Sequence, residues 1–221
     1  MYKFIYLSHF LDSNVPTYAD EDKIVITPKT EISKGETVNI FSIQLTNNHI
    51  GTHIDLPKHF FDCEKGVKYY EPSTWHFQNV ALIDIPRNDS KLIFSDNLPD
   101  NIDKNVNLLL IRTGYEEFRS EDKYWNDNPG LSSEMANFLR NKFPKLRAVG
   151  FDFISLTSWK HKEEGLKAHL KFLDPNKREI FVIEDMKLSE LSNHKIVDLT
   201  AAPWLIDEID SAPVTVIARV E

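Results

Sequence analysis

Eleven consecutive residues, His49 to His59, hold three of the eight histidines of this 221-residue chain, where an even spread would place about 0.4. The segment reads His49-Ile50-Gly51-Thr52-His53-Ile54-Asp55-Leu56-Pro57-Lys58-His59. Gly51 and Pro57 argue against a continuous helix across it. In an extended backbone His53 and Asp55, two residues apart, share one face. A bend at Gly51 can bring His49 round to the same point. Two imidazoles and a carboxylate suit zinc, or manganese or iron when further oxygen ligands are added. The competing reading is a loop of solvated histidines.

The rest of the chain offers a core in which such a segment could be held. Hydrophobic residues make up 41% and charged residues 27%, which is ordinary for a packed domain. The 34 acidic and 26 basic side chains give a charge of -8 with no basic stripe, so nucleic acid and anionic membrane surfaces are disfavoured as partners. Cys63 is the single cysteine, which excludes an intrachain disulfide and a cysteine-rich zinc finger. It reads as a small, partly buried thiol. The apolar patch near Met1 is too short for a signal peptide, and the run Val106 to Ile111 is far below the ~20 residues of a membrane span. The expectation is a cytoplasmic protein with one domain over residues 1–221.

Strands are predicted at Val38–Leu45, Val80–Ile85, Val106–Arg112, Arg147–Phe153, Ile180–Ile183 and Val214–Val220. One helix is expected after Pro129-Gly130, capped by Ser132, with Met135, Phe138 and Leu139 as its apolar stripe and Pro144 as its stop. A second is expected over Lys162 to Phe172, with Leu166, Leu170 and Leu173 as its stripe and Pro175 beyond it. Strands followed by helices in the second half indicate a mixed α/β domain. His169 falls on the apolar side of the second helix, where a hydrogen-bonded core histidine is the commoner outcome. Glu184 falls at the end of a buried strand, where carboxylates are usually solvated but where α/β folds also build sites. Spacing alone ranks neither as a ligand.

His49-x-Gly51-Thr52-His53-x-Asp55-x-Pro57-x-His59 resembles the signature of the cyclase-like metal-dependent hydrolases, whose best-known members are the bacterial kynurenine formamidases. The resemblance extends over nearly the whole chain: Leu7-Ser8-His9, Pro16-Thr17-Tyr18, Leu109 to Gly114, Pro129 to Ser132, Gly150-x-Asp152-x-x-Ser155, Ala168-His169, Ile183-Glu184-Asp185 and Ala212-Pro213-Val214 are similar to successive family segments. It departs from the family after Ser155, where the second aspartate of many members is missing. The resemblance implies a single mixed-sheet domain of the swivelling β/α/β type with flanking helices. It further implies a first metal on His49, His53 and Asp55, a second on Asp55, His169 and Glu184, and His59 as the catalytic acid/base. Homodimers or homotetramers are implied as well.

The chemistry expected is hydrolysis of an aryl formamide or related small amide, with one or two divalent ions, zinc first and manganese as the alternative. Such an ion lowers the pKa of bound water to about 7 and stabilises the oxyanion formed at the carbonyl. An amide nitrogen leaves poorly unless protonated, and His59, not needed to complete the ligand set, is suited to supply that proton. A third-ligand or orienting role is its competing reading. Opening of a cyclic amide, as in isatin hydrolases, and a non-catalytic metal-bound binding protein are the alternatives. Tyr18, Phe60, Phe61, Trp75 and Trp204 are candidates for a substrate pocket, against a core role for each.

Overall fold

Leu109 and Ile111 point into one apolar core and Leu108 and Leu110 into another, so the strand that carries them is buried on both faces, as its unbroken apolar run requires. The computed structural model describes residues 2–221. In chain order its strands are β1 (Lys3–Tyr6), β2 (Ile24–Thr30), β3 (Ile40–Leu45), β4 (His53–Asp55), β5 (His76–Phe77), β6 (Val80–Asp84), β7 (Leu92–Ile93), β8 (Leu108–Arg112), β9 (Gly130–Leu131), β10 (Ala148–Phe151), β11 (Phe181–Glu184), β12 (Ile196–Pro203) and β13 (Ser211–Val220). The helices are α1 (Lys123–Asn126), α2 (Glu134–Lys142) and α3 (Lys162–Phe172).

Nine strands form one mixed sheet in the order β5-β12-β13-β4-β11-β10-β8-β6, with β1 also paired to β13. The strands β6, β8, β10 and β11 run parallel. Parallel neighbours need crossovers; α2 lies in the one from β8 to β10 and α3 in the one from β10 to β11, packing Met135, Ala136, Leu139, Ala168 and Phe172 on one side of the sheet, while the β6-to-β8 crossover carries β7. The strands β5 and β6 stand at opposite ends of the sheet order although only Gln78 and Asn79 separate them in sequence. The sheet therefore curls until its ends nearly meet. This is the mixed α/β architecture expected.

The predicted strands and both longer helices are found within a few residues of their expected limits. The apolar stripe of α3 differs. Leu166 and Leu170 are 52% and 43% exposed, and the inward face consists of Gly165, Ala168, His169 and Phe172. A Cβ on Gly165 would meet the Thr157 side chain at 2.3 Å. Gly165 thus lets α3 lie against the loop that follows β10, where Thr157 also meets His169 Nδ1.

Candidate metal centre

Strand β4 lies between β11 and β13, and the register sets what faces what. His53 is directly opposite Glu184, and Asp55 is opposite Val182 and Ser211. Alternation then places His53, Asp55 and Glu184 on one face, while Ile54 enters the apolar core on the other. Just before the strand, Gly51 adopts φ +62, and a Cβ there would meet Leu11 Cδ2 at 2.2 Å. Only glycine accepts that turn without displacing its neighbours, and the turn carries His49 back over the strand.

Five side chains converge. His49 Nδ1 lies 3.0 Å from Asp55 Oδ1, and His53 Nε2 lies 3.6 Å from the same atom and 3.3 Å from Glu184 Oε2. His169 Nε2 lies 3.5 Å from Asp55 Oδ2 and 3.6 Å from Glu184 Oε1. His53, Asp55, His169 and Glu184 are all buried. Each imidazole is held from behind by its other nitrogen. His53 Nδ1–H donates to Gly51 O at 2.8 Å, His169 Nδ1–H to Gly165 O at 3.0 Å, and His49 Nε2–H to Asp210 Oδ2 at 2.8 Å. That arrangement turns one ring lone pair of each histidine toward the carboxylates, as metal-ligating imidazoles require.

The spacing fits an ion. Two ligand atoms bonded to one zinc at 2.0 to 2.1 Å lie about 3.3 Å apart at the tetrahedral angle, close to the separations found. His49, Asp55 and His59 form one group of donor atoms within 4.8 Å of one another, and His53, Asp55 and Glu184 form another. The electrostatics agree. Burial works to raise the Asp55 and Glu184 carboxyls, yet hydrogen bonds from the surrounding histidines hold both below their ordinary range. Burial works to lower the His49 and His169 imidazoles, yet the carboxylates lift them to about 10 and about 9. Two carboxylates this buried demand compensating positive charge. Without an ion the histidines supply it as protons.

His59 stands at the rim rather than in the cluster. Its Nδ1–H donates to Asp210 Oδ2 at 2.8 Å, the same oxygen that takes His49. Its ring lies edge-on to Phe60, which in turn stacks on His169 at 4.8 Å. A cavity of about 390 Å³ opens over this rim, and Tyr18, Phe60, Ile154, Lys162 and Leu166 are among its walls. Tyr18 and Phe60 are therefore where a substrate could touch them. Trp75 is not: it is buried in the second core with Phe181 and Tyr70. Trp204 and Phe61 also lie outside the cavity lining, Trp204 exposed after β12 and Phe61 packed against the first core.

Sequence reasoning passed over Asp210, the residue that joins His49 to His59. Its carboxyl is fixed further by Asn48 Nδ2, which donates to Oδ1 at 2.8 Å and to Ser211 O at 2.8 Å. It lies 151 residues beyond His59 in a loop rich in other acids, and spacing gave no signal for it. Thr157, which meets His169 Nδ1 at 3.2 Å, and Ser211, which donates to Asp55 Oδ1 at 3.1 Å, were passed over for the same reason. The strand end bearing Glu184 is fixed by its neighbour: Arg119 grips the buried Asp185 carboxylate through Nε and Nη2 at 2.9 and 2.8 Å.

Comparison with known proteins followed the same lines. The family model described as “Putative cyclase” matches residues 5–158. A kynurenine formamidase of Bacillus cytotoxicus is 27% identical over 98% of this chain and 97% of its own length. Isatin hydrolase A from Labrenzia aggregata superposes with a TM-score of 0.82 at 19% identity, covering 99% of this chain and 94% of that one. A structure described as a potential metal-dependent hydrolase with cyclase activity gives 0.76 at 19% identity, with 99% of both chains covered.

Proposed function

The chain belongs to the cyclase family and is a metal-dependent hydrolase, and within that frame we propose that it cleaves a small aryl formamide of the N-formylkynurenine kind. The observation that carries this reading is the set of three imidazoles braced from behind and converging on two buried carboxylates, beside a fourth imidazole that faces a cavity. His49, His53, Asp55, His169 and Glu184 would hold one or two divalent ions. Nitrogen and carboxylate donors in this ratio suit zinc first and manganese second. The bound ion supplies Lewis acidity toward the carbonyl and a nucleophilic water at neutral pH.

The chain's own residues do the rest. Asp210 holds the proton on His59 Nδ1 and so leaves Nε2 to carry the proton that the departing nitrogen needs. Phe60 packs on both His59 and His169 and covers the buried His169 ring. Lys162, the one Lys or Arg among the described residues of the cavity walls, lies 3.3 Å over the Trp159 ring and offers a cation to an anionic substrate tail. That feature, with the formamidase relative, favours an amino-acid-bearing aryl formamide over a neutral cyclic amide.

Tyr18 is assigned the carbonyl oxygen. Its hydroxyl is buried without a hydrogen-bond partner, and burial, with Glu184 adding, pushes the phenol up to about 12, so it remains a donor. The next two residues, Ala19 and Asp20, hold φ of 70 and 54. Such non-glycine strain costs on the order of 1–3 kcal/mol per residue and persists where surroundings enforce it. Tyr18→Phe is expected to lower kcat about tenfold at nearly constant KM, since a hydrogen bond that strengthens on the oxyanion acts on kcat. Steady-state kinetics check it; a change confined to KM would reassign Tyr18 to ground-state binding.

The substrate assignment is tested by assaying chelated and then zinc- or manganese-reloaded protein against N-formylkynurenine and isatin. Turnover of the formamide that vanishes on chelation is expected. Turnover of isatin alone would favour cyclic-amide opening, and silence on both with metal bound would overturn the reading.

A further inference from the structure

Two charged side chains of the cavity wall, Asp22 and Lys162, belong to neither the converging cluster nor the His59–Asp210 pair, and they are of opposite sign. Among the described residues neither is paired with an opposite charge. The Asp22 carboxylate accepts from Thr46 Oγ1 at 2.9 Å and from Asn47 Nδ2 at 2.8 Å, both neutral, and Lys162 Nζ rests 3.3 Å from the centroid of the Trp159 ring. The carboxylate is nevertheless fixed in place. Asp22 N–H donates to Thr17 Oγ1 at 3.3 Å and Asp20 N–H to Thr17 O at 3.0 Å, so residues 17–22 close into one tight turn. The positive φ values of Ala19 and Asp20 belong to that turn. Tyr18 lies in it as well, and its ring stands 5.2 Å from that of Trp159. The two charges therefore border the cavity on the side of Tyr18, whose hydroxyl is assigned the carbonyl oxygen.

We propose that Asp22 and Lys162 together clamp the charged end of an α-amino acid, Asp22 taking the ammonium and Lys162 the carboxylate. The inference rests on the aryl formamide reading for the rest of the substrate and adds what selects its far end. A ligand that fills the cavity strips water from both groups. A charge then left against apolar substrate is costly, and a site built to bind a polar group rejects an analogue that lacks it. A neutral aryl formamide would leave both charges bare, an aryl amine would leave Lys162, and an aryl acid would leave Asp22. An α-amino acid carries both signs on one carbon and so satisfies both groups from one side. The partners of Asp22 suit this task. Thr46 and Asn47 orient the carboxylate without cancelling its charge, and each oxygen, accepting one bond from the protein, keeps a lone pair for an ammonium with its three donors. Phe60, Ile154 and Leu166 supply apolar wall for the aryl body.

The test is isothermal titration calorimetry of the zinc-loaded full chain with L-kynurenine and three analogues: kynuramine, which lacks the carboxylate, the deaminated keto acid, which lacks the ammonium, and ortho-aminoacetophenone, which lacks both. Asp22→Asn should weaken kynurenine and kynuramine about tenfold or more and leave the keto acid unchanged. Lys162→Met should weaken kynurenine and the keto acid and spare kynuramine. Unchanged affinity for the ligand that never made the lost contact shows in each case that the site is folded. Asp22→Asn removes the charge alone: its amide oxygen keeps the Asn47 bond, and its amide N–H turns to Thr46 Oγ1, whose hydroxyl can then donate to Lys23 O. Kynurenine bound by the wild type no more tightly than ortho-aminoacetophenone would overturn the proposal, as would variants that weaken all four ligands alike or none. Binding is read without turnover. A chain that shows the crossed pattern yet cleaves no formamide would keep the clamp and lose the reaction, and turnover of N-formylkynurenine without the crossed pattern would do the opposite.

Discussion

Replacing His59 with alanine is expected to reduce turnover by about 10² to 10⁴-fold, the usual worth of a positioned general acid, while metal content stays at the wild-type level. The geometry separates His59 from its neighbours. The carboxylate that lies within 4.0 Å of its ring among the described residues is Asp210, whereas His49, His53 and His169 each lie within that distance of Asp55. Its side chain is 28% exposed against 6% and 5% for His53 and His169, as befits a group that must reach a substrate. Kinetics and metal analysis on the same preparation decide the matter. His59 also shares a group of donor atoms with His49 and Asp55, so loss of an ion together with activity would make it a ligand.

Much of this centre was legible before any coordinates, and the reason is local. His53 and Asp55 sit two apart on a strand, and Gly51 sits where only glycine permits the turn, so alternation and a single backbone constraint suffice to unite them. His169 and Glu184 were not legible from spacing. One comes from a helix and the other from a strand, and they meet because β11 pairs with β4 in one register and because Gly165 seats α3 against the Thr157 loop. Only the resemblance to known sequences singled them out. The apolar stripe of α3 was misjudged because leucines at i and i+4 carry the stronger hydrophobic signal, although Leu166 and Leu170 face outward and Leu166 lines the cavity. Trp75 lies near the motif in sequence, but its ring is buried in the second core. Contacts between segments 150 residues apart, as for Asp210, leave no periodic trace.

Asp210→Ala is expected to have the widest effect of any single substitution outside the five converging residues, because one carboxylate oxygen takes N–H groups from two histidines with different tasks. Through His49 it fixes which ring nitrogen faces Asp55, and losing such a partner typically weakens metal affinity 10- to 100-fold. Through His59 it fixes the tautomer that leaves Nε2 for proton transfer, and a wrong tautomer in a comparable dyad costs about 10⁴ in kcat. The two routes are separable. Metal affinity can be measured by competition with a chromophoric chelator in the absence of substrate, and kcat at saturating metal isolates the His59 route. Recovery of full turnover with excess metal would confine Asp210 to His49. Asp210→Asn keeps one acceptor oxygen, which can serve the two histidines or Asn48 Nδ2 but not both, so its losses should fall between wild type and alanine; losses equal to those of alanine would show that the second acceptor oxygen and the charge are both required. In the His59→Ala background, Asp210→Ala should cost metal affinity alone, since the proton-transfer step it serves is already gone. A further large fall in kcat at saturating metal would mean that Asp210 touches the reaction by a path other than His59.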